Sequence, residues 1–296
     1  MQLKHKRKRT KNILNYVIFM GPSILFFTVL FLIPLFTEIV FAFTDWNGID
    51  RGFNWVGLYQ FKRVLQDDQY WYSMWFTIKF SFFVVIFSNL LGFFWAYLLS
   101  RRIPLANLWK ALIYLPRILG GVVLGYLWRF IFQEVFVQFG EATGWSWFSQ
   151  MWFTTASSSF WALVIVMTWT LSGYLMVIYN AGFSAIDDTF IEAATIDGAS
   201  KPQILFKVII PLLMPSITRC LFIAINWAML LYDTNLSLTN GNPFRLSEGV
   251  TMNIYSTAFQ TNQMTFGAAK SFIFVLILVV ISLTQVKLTS SREVQQ

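Results

Sequence analysis

Apolar residues run along this chain in blocks too long and too unbroken for the half-buried elements of a water-soluble fold. Six stretches, approximately 16–43, 76–99, 108–132, 159–183, 206–232 and 267–287, meet the roughly 20 mostly apolar residues that a bilayer crossing needs as a helix. An even number of crossings places both ends on the same side. The polar connections orient them: the N-terminal tail, 100–110, 184–207 and 288–296 carry a basic block together with Arg101, Arg102, Lys110, Lys201, Lys207 and Arg292, with Lys287 at the edge. The opposite connections, 44–75, 133–158 and 233–266, hold only Arg51, Lys62, Arg63 and Arg245. Lys and Arg accumulate on cytoplasmic flanks, so the pattern predicts an all-α integral membrane protein with both termini cytoplasmic.

Composition agrees with that pattern. Residues are 56% hydrophobic and 12% charged, against roughly 25% charged in a soluble domain. The net charge of +8 invites a nucleic-acid reading, but its location decides otherwise. Lys4, Lys6, Arg7, Lys8, Arg9 and Lys11 sit immediately before the first apolar run, where they set topology and meet anionic lipid. No nucleic acid is expected as a partner. That first run exceeds the roughly 7–15 residues of a signal-peptide core, so it reads as a retained span. The single cysteine, Cys220, has no partner within the chain for a disulfide, and the single histidine, His5, lies in the tail. Neither a His-based metal site nor a catalytic triad can be built. The chain is expected to comprise a basic tail (1–15), a first helix with an extracellular interfacial segment (16–75), a transmembrane core (76–288) and a short cytoplasmic tail (289–296). Trp46, Trp55, Tyr70, Trp71, Tyr72 and Trp75 crowd the segment before the second block, as an interfacial aromatic belt does.

Polar groups within apolar helices are costly and tend to face a bundle interior or a wet cavity. Lys79 and Asn89 fall in the second block, Arg117 and Arg129 in the third, Thr168, Trp169, Thr170, Ser172 and Tyr174 in the fourth, and Asn226, Trp227, Tyr232, Asp233 and Asn235 toward the end of the fifth. Taken singly, each has a structural explanation. Lys79, Arg117 and Arg129 can snorkel from helix ends, and Asn226 can bond a neighbouring helix. As a set they suit a sugar, whose hydroxyls need hydrogen-bond partners and whose C–H faces stack on aromatic rings. The expected substrate path is therefore Trp169, Tyr174, Asn226, Trp227 and Thr168, with Lys79, Asn89, Arg129 and Tyr232 behind them.

Between the fourth and fifth blocks lies EAATIDGASKPQILFKVIIP, residues 192–211: an E-A-A run, three residues, a glycine, nine residues, then an apolar-x-apolar-Pro run. This resembles the cytoplasmic loop of binding-protein-dependent ABC importer permeases, with Val208 and Ile210 where the family has Ile and Leu. The stretches at 21–48, 55–71, LTNGNP at 238–243 (Asn242 replacing a glycine), 254–259 and 266–278 are similar to the maltose, lactose and glycerol-3-phosphate type, and Lys270 is unusual there. The resemblance covers residues 17 to 288 and implies a type I ABC importer permease with six transmembrane helices, a multi-pass protein of a bacterial or archaeal cell membrane. The segment 186–211 would be its coupling loop.

What the resemblance implies is a sugar or oligosaccharide importer of four parts: this chain, a second homologous permease subunit and two ATPase subunits, served by an extracellular solute-binding protein. ATP and Mg would bind the partner ATPase; no cofactor, metal or catalytic residue is expected on this chain, which lacks a phosphate loop. Glu192, Ala193, Ala194, Asp197, Gly198 and Ala199 would couple to the ATPase, with Glu192 capping or fixing the loop helix and Gly198 permitting a sharp exit and close approach. In maltose-type members, substrate is held by helices on either side of this loop. Alignment retains Thr168, Trp169 and Tyr174 and keeps an aromatic as Trp227, whereas Met167, Leu171 and Leu231 replace polar or small residues. Another polar cargo, such as glycerol phosphate or an acidic oligosaccharide, is the alternative. A membrane-embedded transferase would need clustered carboxylates, and the adjacent pairs Asp67–Asp68 and Asp187–Asp188 point apart on a helix.

Overall fold

The computed structural model describes residues 18–50, 52–100 and 103–291; the N-terminal basic block with His5, and Arg51, Arg101, Arg102 and Arg292, lie outside them. Among the described residues the fold is helical except for one isolated antiparallel bridge, Thr44 to Trp55. In chain order the helices are α1 (Ile18–Phe41), α2 (Tyr59–Leu65), α3 (Asp68–Leu99), α4 (Ala106–Ile118), α5 (Gly121–Thr143), α6 (Ala156–Ser184), α7 (Asp188–Ile196), α8 (Lys201–Leu212), α9 (Met214–Met229), α10 (Asp233–Leu238), α11 (Val250–Tyr255) and α12 (Met264–Ser290). Helices α1, α3, α5, α6 and α12 are each long and apolar enough to cross a bilayer, and α8 with α9 form a sixth such stretch, bent by 70°.

Two of the apolar blocks are not continuous helices. The third, 108–132, breaks after Ile118, where Leu119 and Gly120 are extended with ψ of 130° and 148°. The helix restarts at Gly121, so the crossing-length element is Gly121–Thr143 rather than the block itself. The fifth bends at Leu213, between Pro211 and Pro215, neither of which has an N–H to donate into a helix. Hydropathy does not register either break, because Leu119 and Leu213 are as apolar as their neighbours.

The chain divides into two compact units. One takes residues up to Asp67 together with Tyr255–Phe272. Within it, no residue of α1 is buried, as suits a helix facing lipid along its length. The Thr44–Trp55 bridge folds the chain back, and Asp45 accepts hydrogen bonds from the Asn54 backbone and amide at 2.7 and 3.1 Å, which hold its carboxyl below the usual range. From α2, Gln60 donates to Thr265 Oγ1 at 3.1 Å and Arg63 to Gln263 Oε1 at 2.7 Å. Lys270, unusual in the sequence, is buried here: its Nζ meets Asp67 Oδ2 and Thr257 Oγ1, each at 2.8 Å, and lies over the Phe266 ring.

The other unit takes Asp68–Ile254 and the chain from Ile273 onward. Its core is the seam of α3 and α6, where Phe76, Phe80 and Phe83 set their rings edge-on around Phe160 and Leu163, Leu175 and Met176 are buried. A buried hydrogen bond from Tyr179 Oη to Asn89 Oδ1 (2.7 Å) ties the two helices. Gly173 lets α6 pass directly over α4, because any Cβ there would collide with the Ile113 carbonyl. Gly173→Val is therefore expected to cost about 1–3 kcal/mol by overpacking and to lower the thermal midpoint of the purified complex. An unchanged midpoint would show that α4 can move away at no cost. The turn at 238–249 is cross-linked by polar groups: Asn235 Nδ2 donates to Ser247 O at 2.8 Å, and buried Glu248 accepts from Arg245, Gln69, Ser73 and Asn253.

Candidate functional site: a coupling segment and a central cavity

The polar segment after α6 forms two short helices set end to end. Asp187 begins α7 as its N-cap, accepting the Thr189 backbone N–H at 2.9 Å, so Asp187 rather than Glu192 caps this helix. That hydrogen bond, aided by the Thr189 side chain, holds the exposed Asp187 carboxyl below its ordinary value. A lowered folded value means the cap's contribution is present above the ordinary carboxyl range near pH 4 and is lost as pH falls through the folded value. Asp187→Ala should accelerate amide exchange across α7, with the difference from wild type closing at that acid limit.

At its other end α7 stops in a Schellman turn. Gly198, with φ of +77°, donates its N–H to Thr195 O at 3.1 Å, and Ala199 donates to Ala194 O at 3.0 Å. Ser200 then starts α8 in a capping box with Gln203, whose Oε1 accepts the Ser200 N–H at 2.7 Å. The side chains sort by face. Ile191, Ala194 and Ala199 pack on Ile204, Ile209 and Leu213, while Glu192, Ala193, Asp197 and Gly198 are exposed, with Ile196 85% exposed among them. Nothing stands within 4 Å of where a Gly198 Cβ would project.

The second feature is a cavity of about 280 Å³ where two helices are interrupted, between α4 and α5 at 119–120 and between α9 and α10 at 230–232. Non-helical backbone at membrane depth is tolerated where it is buried in protein or lines a wet cavity, and such breaks in transporters mark substrate sites. Helix α6 supplies Met167, Thr170 and Leu171 to the wall, α9 supplies Trp227, Tyr232 comes from the second break and Asp233 from the first residue of α10. Arg117, in the last turn of α4, lines the cavity with its guanidinium 3.5 Å from the Trp227 ring centroid and 5.4 Å from that of Tyr174.

Of the expected path residues, Trp227 and Tyr232 line this cavity, and Tyr174 joins them through Arg117. The others lie apart. Trp169 sets its ring edge-on to Trp128 at 5.3 Å, on the side of α6 that meets α5, and the buried Thr168 hydroxyl has no hydrogen-bond partner. Asn226 Nδ2 donates to Phe222 O at 2.8 Å and to Ser282 Oγ at 3.4 Å, the helix-to-helix bond that its structural reading anticipates. Asn89 is the partner of Tyr179. Lys79 lies 4.9 Å from the Phe160 ring centroid on a separate cavity of about 490 Å³, and Arg129 is half-buried on α5 in neither wall. Arg117, which the sequence alone allows to snorkel, lines the cavity instead. The signal for it is Gly120, whose extended backbone separates α4 from α5 just beyond.

A family model described as "Binding-protein-dependent transport system inner membrane component" matches residues 88–291. The chain is 41% identical over 290 residues, 98% of its length and 99% of the other's, to a probable starch degradation products transport system permease protein, AmyD, of Thermoanaerobacterium thermosulfurigenes. It is 26% identical, over 90% of this chain and 92% of the other, to the multiple sugar-binding transport system permease protein MsmF of Streptococcus mutans. In structure it is similar, with a TM-score of 0.82 at 18% identity over 98% of this chain and 99% of the other, to a chain of a bacterial ABC transporter involved in the import of the acidic polysaccharide alginate. At that identity the likeness speaks to the fold alone.

Proposed function

Because this chain belongs to the binding-protein-dependent ABC transporter permeases of the carbohydrate uptake family, we propose that it conducts the short glucose oligosaccharides that starch yields. The single observation that carries this reading is the 41% identity, over nearly the whole of both chains, to a permease named for starch degradation products. The cavity supports it: aromatic rings at Trp227 and Tyr232 suit sugar stacking, and Thr170 adds a hydroxyl. Arg117 and Asp233 give the wall one charge of each sign, which favours a neutral cargo over an anionic one.

In this reading the chain pairs with a second homologous permease, and two ATPase subunits carry ATP and Mg. The exposed face formed by Glu192, Ala193, Ile196, Asp197 and Gly198 meets the ATPase, while Ala194 and Ala199 fasten that face to α8. Closure of the ATPases moves the fastened pair as one body, and the breaks at 119–120 and 230–232 let flanking helices turn around the cavity. The partner solute-binding protein, titrated with linear glucose oligosaccharides, uronic-acid oligosaccharides and glycerol phosphate, tests the cargo. Binding of the glucose series, with stimulation of the complex's ATPase by that loaded protein, is expected. Exclusive response to an anionic ligand would overturn the reading.

A further inference from the structure

Arg117 holds its charge against aromatic rings rather than against a carboxylate. Among the described residues it makes no ion pair, although Asp233 lines the same cavity. Its guanidinium instead covers Trp227 at van der Waals distance, 3.5 Å from the ring centroid, and stands 5.4 Å from the Tyr174 centroid. A flat cation on an indole face occupies the place that the C–H face of a pyranose takes when it stacks. A cation on a ring face is held firmly enough to persist and weakly enough to exchange. The residue also sits one residue before the helix ends at Ile118, next to the extended pair Leu119–Gly120, so any turn at that break carries the guanidinium on or off the ring.

Resting on the oligosaccharide reading above, we propose that Arg117 is a specificity-determining residue of the substrate path, a stand-in that covers the Trp227 face until a sugar ring displaces it. Once displaced, its N–H donors serve the hydroxyls of the ring that replaced it. Sugars with a stackable face and flanking hydroxyls recover both interactions; solutes lacking either do not. Lysine cannot substitute, because an ammonium lacks the planar face and the fork of donors.

The test uses the reconstituted four-subunit complex with its loaded binding protein, reading sugar transported per ATP hydrolysed. Arg117→Gln and Arg117→Lys are each expected to lower that ratio about tenfold, the loss of one charge-assisted hydrogen-bonded contact. Because Arg117 and Trp227 act as a unit, Arg117→Gln with Trp227→Leu should do no worse than Trp227→Leu alone. A wild-type ratio in Arg117→Lys, or a double variant whose loss is the product of the two single losses, overturns the proposal. Should Arg117→Gln fail to assemble, the lysine variant, which keeps charge and bulk, still decides. A wild-type complex that hydrolyses ATP but moves no glucose oligosaccharide would instead defeat the cargo reading.

Discussion

Gly198→Asp is expected to reduce ATP-driven sugar uptake to near background while the permease still assembles with its partners. Gly198 is the left-handed residue of the Schellman turn that ends α7, with φ of +77°. Strain is not the main consequence of the change, since aspartate is among the few residues that visit this conformation routinely. Space within the chain is not the obstacle either, because a Cβ at 198 would meet nothing within 4 Å. What the substitution adds is a side chain and a negative charge on the exposed face beside Glu192, Asp197 and Ile196. If that face docks on the ATPase, the subunits are held off by roughly a carboxylate's length and the stroke is not transmitted. Uptake into vesicles, measured alongside co-purification of all subunits, checks it. Normal uptake in an assembled complex would remove this face from the coupling path. Gly198→Ala separates the two causes: it adds one carbon at a conformational cost of about 1–2 kcal/mol, and is expected to retain more uptake than the aspartate.

The largest effect on stability is expected at Asp67. Lys270 is 3% exposed at its side chain and Asp67 21%, with 2.8 Å between their charged atoms. Removing the carboxylate leaves the buried ammonium with Thr257 and the Phe266 ring but without its opposite charge, whereas removing the ammonium leaves a carboxylate that water can partly solvate. Asp67→Asn should therefore cost about 3 kcal/mol, the lower end for breaking a buried pair, and Lys270→Met distinctly less. Combining the two should recover part of the loss, because no buried charge then remains. Thermal midpoints of the purified complex give the order, and equal losses from the two single changes would contradict the asymmetry.

Much of this molecule can be read from its residues, and the reasons differ by part. Crossing helices were legible because lipid demands length and hydrophobicity, both of which are written locally. The helix stop at Gly198 was legible because a left-handed turn selects glycine. Boundaries inside apolar runs were not: the break at Leu119–Gly120 and the bend at Leu213 keep the same hydropathy as a continuous helix. The cavity lies at one of those breaks, so the path residues were only partly foreseen. Trp227 and Tyr232 line it and Tyr174 stands behind Arg117, whereas Asn89 and Asn226 satisfy helix-to-helix bonds that no single-helix pattern can specify. The place of Arg117 on the cavity wall is hidden for the same reason, since its position relative to a helix end depends on where that helix stops. Lys270 looked out of place because its partner, Asp67, is distant in sequence.

The central claim is that this chain is the conduit through which ATP hydrolysis on other subunits imports glucose oligosaccharides. It is tested most directly by loading proteoliposomes containing the assembled complex with ATP on the coupling-segment side and supplying labelled maltooligosaccharide with its binding protein on the other. The account predicts accumulation that requires both ATP and the binding protein and that disappears with Gly198→Asp. Accumulation independent of either component, or undiminished in that variant, would contradict it.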